Sequence, residues 1–204
     1  MTLNEPKIIW LTGMSGVGKT YYSKYITEYM NEYNYLIKTL DGDEIRKKHG
    51  AMDKFKYEDI EKNNLFICDL CKEELKSNDL IIVSVISPFE KIRKRIKEIF
   101  GNRIFFIYIH ASINSLKDRD TKSLYKMADE GTLKNLIGYS KNLNYEIPNN
   151  PNLILDTSRN INPNINKSKI IEFLKNNIFN KWLKNILYNL YLAIRIYLNL
   201  YFLY

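Results

Sequence analysis

Residues 13–20 have the types and spacing that bind a triphosphate. They satisfy every fixed position of the phosphate-binding P-loop motif. An apolar run precedes them and a potential helix follows, which is the context the motif requires. The glycines let backbone N–H groups point at phosphate oxygens at the positive end of that helix. Lys19 can reach the β- and γ-phosphates of a nucleoside triphosphate, and the Thr20 hydroxyl can ligate Mg²⁺. The residues expected to bind the triphosphate are Gly13, Met14, Ser15, Gly16, Val17, Gly18, Lys19 and Thr20. The alternative is a glycine-rich turn without a ligand.

Two carboxylates follow the second apolar run of the chain. Asp41 and Asp43 flank a glycine there. Mg²⁺ takes oxygen ligands, usually one or two carboxylates with several waters. The third apolar run ends without an aspartate, so Thr20, Asp41 and Asp43 are the candidate metal-site residues. One of the two carboxylates could also accept the proton of an attacking hydroxyl. The alternative is a surface turn, since Asp-Gly is a common turn dipeptide.

Ser87 follows the third apolar run, directly before Pro88. Pro88 fixes the direction in which the chain leaves the strand and carries no N–H. We therefore expect Ser87 to lie where an acceptor or a transferred phosphate would bind. No histidine is near it in the sequence, so a serine activated as in a catalytic triad is not supported. The alternative role is an N-cap for a helix over 89–100.

Short apolar runs alternate with longer helical patterns along the chain. This alternation is typical of βαβ units and a parallel sheet. It predicts a three-layer α/β fold with a mainly parallel sheet of about five strands and helices on both faces. The predicted strands are 7–11, 35–40, 80–85, 104–109 and 153–155. The predicted helices are 18–31, 57–77, 89–100, 112–119 and 166–179, with a polar turn over 160–166. Ligands should bind at the carboxyl ends of the strands.

Composition and charge restrict the class of partner. The 204 residues carry a net charge of +8, but residues 161–204 alone hold six basic side chains and one acidic one. The rest of the chain is nearly balanced, so we expect a small anionic nucleotide as partner and no nucleic acid. The two cysteines, Cys68 and Cys71, fall on a helical apolar pattern and are expected to pack in the core. Few cysteines and no signal peptide predict a cytoplasmic protein.

Further motifs follow the P-loop, and together they resemble the adenylylsulfate kinase family. They are Leu40-Asp41-Gly42-Asp43-x-x-Arg46, Ile86-Ser87-Pro88-Phe89, Arg119-Asp120-x-Lys122-x-Leu124-Tyr125-Lys126-x-Ala128, Gly131, Lys134, Gly138, Tyr145-Glu146-x-Pro148, Asn150-Pro151 and Leu155-Asp156-Thr157. The resemblance covers about residues 5–179 in order and spacing. It implies sulfate assimilation chemistry: with Mg²⁺, the γ-phosphate of ATP passes to the ribose 3′-hydroxyl of adenosine 5′-phosphosulfate.

The resemblance also implies roles for individual residues. The catalytic residues would be Lys19, Asp41, Asp43 and Ser87. The acceptor site would be lined by Asp41, Asp43, Arg46, Phe55, Asn63, Ile86, Ser87, Lys122 and Leu136. Ser87 matches a serine described in this family as a phosphoserine intermediate, although direct in-line transfer needs only positioning and charge neutralisation. Residues 119–148 match the mobile lid of the family, which would exclude water from the reaction.

The residues that would line the acceptor site depart from the family pattern. Ile60 replaces an arginine, two further arginines are absent from the same segment, and Ser140 replaces an aspartate. Leu136 stands where the family has a phenylalanine that stacks on the adenine. Losing a stacking partner weakens base recognition by about 1–3 kcal/mol, and losing an arginine removes bidentate anion recognition. The residues expected to bind ATP are intact, whereas those expected to line the acceptor site are altered. This combination favours an enzyme with a changed acceptor over an inactive enzyme.

Two alternatives to adenosine phosphosulfate kinase activity are open. The first comes from the resemblance, because a relative of the family makes the same transfer to cytidine diphosphoramidate for capsule biosynthesis. A pyrimidine needs less stacking surface, which is consistent with Leu136. The second is a non-catalytic nucleotide-binding module with a regulatory role. The intact residues Lys19, Thr20, Asp41, Asp43 and Ser87 argue against this second alternative.

The chain divides into a kinase domain over 1–179 and an apolar, basic helical extension over 180–204. One narrow helical stripe that leads into that extension contains Asn177, Lys181, Lys184, Arg195 and Asn199. This arrangement predicts an amphipathic helix that makes a peripheral membrane contact or docks on a partner. Arg195 and Asn199 interrupt the apolar run and argue against a full membrane span. The alternative is an extension without a role. A homodimer is compatible with the sequence, which does not fix the oligomeric state.

Overall fold

The computed structural model describes residues 5–48, 56–141 and 143–179, and its centre is a five-stranded parallel sheet. The strands are β1 (Lys7–Thr12), β2 (Ile37–Asp41), β3 (Leu80–Ser84), β4 (Ile104–His110) and β5 (Leu153–Asp156). Their order across the sheet is β2-β3-β1-β4-β5, and every pair is parallel. All carboxyl ends therefore lie at one edge, with the P-loop that follows β1 at its centre.

The strands are apolar on both faces because helices cover the sheet on both sides. Ile9 of β1 and Ile82 of β3 belong to one buried cluster, whereas Trp10 and Val83 belong to another. This alternation puts two cores on opposite faces of one sheet. The predicted three-layer fold is confirmed.

The helices are α1 (Lys19–Asn31), α2 (Gly42–Lys48), α3 (Tyr57–Glu74), α4 (Glu90–Phe100), α5 (Ile113–Arg119), α6 (Leu124–Asp129) and α7 (Pro163–Asn177), with a 3₁₀ turn over Gly101–Arg103. The five predicted helices are present with small shifts at their ends. The helices α2 and α6, which have only 7 and 6 residues, were not predicted from the sequence. The polar turn predicted over 160–166 is wrong in its second half, because α7 begins at Pro163. The side chain of Asn162 caps it, accepting a hydrogen bond from the Asn164 N–H at 3.0 Å.

The two cysteines lie in the core, as predicted. Cys68 and Cys71 are buried free thiols on α3. Burial raises the pKa of Cys68 to about 12, so its thiol is protonated at neutral pH. These residues pack as small apolar side chains.

Within the described part of the chain, no helix combines the length and apolar character needed to cross a bilayer. The extension over 180–204 lies outside the described residues, so its membrane contact and the domain boundary before it stay predictions. The acceptor-site assignment of Phe55 also lies outside them.

Candidate active site

The P-loop turn depends on glycines at its two ends. Gly18 is the N-cap of α1 with φ of 96°, a left-handed conformation that few other residues adopt. At Gly13, with φ of 150°, a Cβ atom would lie 2.1 Å from the carbonyl oxygen of Ile109 on β4. Any side chain at this position would therefore push the loop off the sheet.

Lys19 is held inside the turn by two backbone carbonyls. Its Nζ donates to the oxygens of Gly13 and Met14, both at 2.9 Å. Burial lowers the pKa of Lys19 to about 8, although the charges of Asp43 and Asp41 act in the opposite direction. The ammonium group is thus held inside the loop, with its charge poorly solvated and available to an anion.

Thr20 and Asp41 meet where the first turn of α1 faces the end of β2. Thr20 Oγ1 donates to Asp41 Oδ2 at 3.0 Å, and Asp41 Oδ1 accepts from the backbone N–H of Asp43 at 2.9 Å. The second bond directs the chain into α2 immediately after the strand. Asp43 therefore lies in the first turn of a helix rather than in the loop considered from the sequence.

Asp43 is the centre of a charged group in the same region of the structure. Its carboxylate accepts hydrogen bonds from Arg46 on the same helix and from Lys122 Nζ at 2.7 Å. Burial opposes ionisation of Asp43, but the Lys122 hydrogen bond and the charges of Arg46, Lys122 and Lys19 lower its pKa overall. The carboxylate is therefore ionised at neutral pH and oriented by two cations.

These groups line one cavity of about 600 Å³. The sequence-predicted residues in its wall are Ser15, Gly16, Val17, Gly18, Lys19, Thr20, Asp41, Asp43, Arg46, Ile86 and Lys122. The cavity thus brings together the P-loop, both carboxylates and Lys122. Gly13 and Met14 are absent from the wall and contribute through the carbonyls that hold Lys19.

Ser87 is placed differently from the expectation. It is 1% exposed and does not line the cavity. Its Oγ accepts from Trp10 Nε1 at 2.9 Å and donates to Asn64 Oδ1. The alternative role as an N-cap is also wrong, because α4 begins after Phe89 without a side-chain cap. In this structure the hydroxyl joins β1, α3 and the turn after β3, outside the cavity wall.

Leu136 and Ile60, which were interpreted as changes in the acceptor site, belong to the core instead. Leu136 is 5% exposed and packs in the buried cluster that contains Val17 and Tyr125. Ile60 is 8% exposed and packs in the cluster on the opposite face. The expectation that Leu136 lines the acceptor site is corrected: neither side chain lines the cavity. Asn63 is half-buried outside the cavity wall, and its neighbour Asn64 makes the contact with Ser87.

Several wall residues were missed as site residues. They are Tyr21, Tyr22, Ser84, Val85, Arg119, Asp120, Thr121, Thr157, Ile161, Pro163 and Asn166. Thr157 Oγ1 donates to the Val17 carbonyl at 3.0 Å, which ties the loop after β5 to the P-loop. The position of Thr157 directly after a predicted strand end was the available signal, because ligands bind at those ends. Asn166 offered no such signal, since it lies in a polar, Asn-rich segment.

The segment matched to the lid contacts the rest of the site at both its ends. The Tyr125 hydroxyl donates to the Ser15 carbonyl at 2.8 Å. Near the other end, the Glu146 N–H donates to the Pro88 carbonyl at 2.9 Å, and Arg93 donates to the Glu146 carbonyl at 2.7 Å. Lys122 is therefore presented to Asp43 by a segment anchored on the P-loop and on the turn after β3.

The donor set suits Mg²⁺. Thr20, Asp41 and Asp43 offer only oxygen ligands, which this ion prefers. Among the residues that the structure describes, no group of three or more His, Cys, Asp or Glu side chains could hold a metal by itself. A metal here would therefore share its coordination with phosphate oxygens and water, as in other nucleotide-phosphate sites. The arrangement can bind a triphosphate, orient its terminal group and hold an anionic acceptor opposite.

Comparisons with known proteins show the family to which the chain is similar. The sequence pattern of the adenylylsulphate kinase family matches residues 5–156. An adenylyl-sulfate kinase of Halothermothrix orenii is 36% identical over 171 residues, which is 82% of this chain and 88% of that protein. A probable adenylyl-sulfate kinase of Pyrococcus abyssi is 36% identical over 151 residues, covering 74% of this chain and 85% of its own length.

Solved structures show the same fold. The APS kinase CysC of Mycobacterium tuberculosis, solved with AMPPNP and APS, superposes with a TM-score of 0.75 at 24% identity, covering 84% of this chain and 98% of that one. A gluconokinase from Sinorhizobium meliloti superposes with a TM-score of 0.57 at 19% identity, covering 92% and 97%. The fold by itself therefore does not define the acceptor. The family pattern and the curated relatives do define the lineage: the chain belongs to the adenylylsulphate kinase family of phosphotransferases that act on a hydroxyl group.

Proposed function

We propose that the protein transfers the γ-phosphate of ATP to the ribose 3′-hydroxyl of adenosine 5′-phosphosulfate. The observation that carries the proposal is the single cavity joining the P-loop to Asp43, Arg46 and Lys122. It lies within a chain that matches the adenylylsulphate kinase family over residues 5–156. An acceptor with a phosphate and a sulfate group is strongly anionic, and Arg46 and Lys122 supply cations on that side of the cavity.

The residues act mainly by positioning and by neutralising charge, which is what phosphoryl transfer requires. Lys19 is held where it can contact the β- and γ-phosphates. Thr20, Asp41 and Asp43 would hold Mg²⁺, which when bound neutralises charge on the phosphate oxygens. Asp43 also lies on the acceptor side, where its ionised carboxylate can accept the proton of the attacking hydroxyl. Ser87 needs no covalent role in this scheme, because its buried hydroxyl lies outside the cavity.

The cytidine diphosphoramidate alternative loses its main support. It rested on Leu136 as a replaced stacking residue, and Leu136 packs in the core in this structure. We therefore retain adenosine 5′-phosphosulfate as the proposed acceptor. A homodimer stays a prediction that no described contact tests.

An acceptor screen with γ-labelled ATP and Mg²⁺ tests the proposal. Adenosine 5′-phosphosulfate, cytidine diphosphoramidate and gluconate are offered separately to the purified chain, and labelled product is separated by chromatography. We expect rapid labelling of adenosine 5′-phosphosulfate and none of gluconate. Efficient labelling of the cytidine compound with no labelling of adenosine 5′-phosphosulfate would overturn the acceptor assignment. An Asp43→Asn variant gives the background rate.

A further inference from the structure

Tyrosines recur at every fourth position along α1 and the turn that follows it. They form what is here called the tyrosine stripe: Tyr21, Tyr25, Tyr29 and Tyr33. A spacing of four residues puts side chains on one face of a helix. The face that α1 buries in the core is a different one, formed by Tyr22, Ile26 and Met30. Tyr21 is 52% exposed and the other three tyrosines are partly buried, so the stripe lies at the edge of the core and is open to solvent on one side.

The helix α7 runs along one side of the tyrosine stripe. Near the start of α7, Lys167 Nζ lies 5.3 Å from the ring centroid of Tyr25. Beyond the end of α7, the ring centroid of Phe179 lies 4.9 Å from that of Tyr33 and 6.3 Å from that of Tyr29. Phe179 is 4% exposed and is the last residue that the structure describes. The chain therefore leaves the described structure from inside the aromatic cluster at one end of the stripe.

The sequence after Phe179 is long enough and apolar enough to cover the stripe. Most residues of 180–204 are Leu, Ile, Tyr or Phe, and the polar ones favour one helical side. From Tyr21 to Tyr33 the stripe measures about 18 Å at a helical rise of about 1.5 Å per residue. A helix over 183–204 would measure about 33 Å. A turn after Phe179 and a helix in the reverse direction can thus cover the whole stripe.

The charges of the two segments are complementary. Glu28 and Glu32 are exposed beside the last two tyrosines of the stripe. The carboxyl end of α1 adds the negative end of its helix dipole there. Lys181 and Lys184 are the first charged residues after Phe179. Because Phe179 is held at this end of the stripe, so short a connection keeps both lysines near the two carboxylates.

We propose that residues 180–204 dock on the tyrosine stripe of their own chain, in the direction opposite to α7. Their apolar side chains are then covered within the molecule and not by a bilayer. A segment tethered at Phe179 meets the stripe at a high effective concentration, which favours its own chain over a second copy. The covered helix is α1, whose first turn carries Lys19 and Thr20, so the extension stabilises the element that follows the P-loop. Packing of this kind needs no substrate and does not depend on the proposed function.

Trp182 provides the test, because the chain has only one other tryptophan. Trp10 is fully buried, so acrylamide quenching of the folded full chain reports on Trp182. Without lipid, we expect the wild-type chain to show no fluorescence component that is quenched as in the urea-unfolded chain. In Tyr29→Lys the quenching of Trp182 should rise about fivefold, as for a docking equilibrium that loses one aromatic contact. Ile147→Lys, at an apolar position outside the stripe that is 67% exposed, is the matched control and should behave as wild type.

Carbodiimide coupling of mixed unlabelled and isotope-labelled wild-type chains shows which chain occupies the stripe. We expect links from Lys181 or Lys184 to the two carboxylates beside the stripe, each within a single label. Links that join the two labels would assign the stripe to a second copy and overturn the proposal, and so would the absence of these links. Full quenching of Trp182 in the wild type, with protection only after phosphatidylglycerol vesicles are added, would assign the extension to a membrane surface and overturn it as well. These wild-type measurements decide the question even if Tyr29→Lys does not fold, and a folded Tyr29→Lys with wild-type quenching would also contradict the docking.

Discussion

Thr20 Oγ1 donates a hydrogen bond to Asp41 Oδ2 across 3.0 Å, which links the first turn of α1 to the end of β2. The donated proton leaves the lone pairs of the Thr20 oxygen available to a cation. The other oxygen of the same carboxylate fixes the backbone of Asp43 at 2.9 Å. One aspartate thus joins the first turn of α1, which follows the P-loop, to the first turn of α2.

Replacement of Lys19 by alanine should nearly abolish phosphoryl transfer. The ammonium group, held by the carbonyls of Gly13 and Met14, is the cation that we propose contacts the β- and γ-phosphates. Removing such charge stabilisation typically lowers kcat by about 10²–10³-fold. Steady-state kinetics with ATP and adenosine 5′-phosphosulfate measures the loss. Lys24→Ala, an exposed position on α1 with its ion pair to Glu28, should retain normal activity. A wild-type kcat in Lys19→Ala would show that the phosphate-binding site has been assigned to the wrong residues.

The affinity for ATP should fall as pH rises above about 8. Burial lowers the pKa of Lys19 to about 8, so the free protein loses this charge on going to pH 9. A triphosphate favours the charged form, and binding therefore takes up a proton in this range. The dissociation constant should rise about tenfold between about pH 7.5 and pH 9. Calorimetry in buffers with different ionisation enthalpies measures the proton uptake. A constant affinity without proton uptake would contradict the assignment.

Asp43→Asn should reduce turnover much more than stability. The carboxylate is paired with Lys122 and Arg46 at the cavity wall, so neutralising it disturbs the acceptor and metal side while leaving the core unchanged. We expect a decrease of about 10²-fold in kcat, as for the loss of a catalytic acid–base group. The melting temperature should stay within a few degrees of wild type. Glu44→Gln, at the exposed neighbouring position of α2, is the control and should behave as wild type.

Ser87→Ala should destabilise the fold without removing a covalent intermediate. The change leaves the Trp10 N–H and the Asn64 carbonyl without their buried partner. An unpaired buried group costs about 1–3 kcal/mol of unfolding free energy, measurable by denaturant titration. Intact-protein mass spectrometry of wild type incubated with ATP and Mg²⁺ should detect no added phosphate on Ser87. A stoichiometric phosphoserine there would refute the structural role.

The P-loop and the alternation of strands and helices were predictable because they are local. A buried parallel strand is a continuous apolar run, and the motif fixes residue types at every required position. The short helix α2 was missed because seven residues beginning with Gly42 show no helical period, and Asp-Gly indicates a turn. Its formation depends on Asp41, which binds the Asp43 N–H.

The direction of individual side chains was less predictable. Alignment with a family motif placed Leu136 and Ser87 at the acceptor site, but packing decides where each side chain points. Leu136 joins the core beneath the P-loop, and Ser87 turns toward Trp10. Asn166 shows the opposite case. It lies in a polar segment that was predicted to be a turn, but α7 begins at Pro163 and the Asn166 side chain is buried.

The other assignments depend on the binding of a triphosphate by residues 13–20. Calorimetric titration of the purified full chain with ATP and Mg²⁺ measures this binding. We predict one binding site per chain, with the heat of binding lost in Lys19→Ala and retained in Lys24→Ala. Absence of binding to the wild-type chain, or equal binding by all three proteins, would contradict the account.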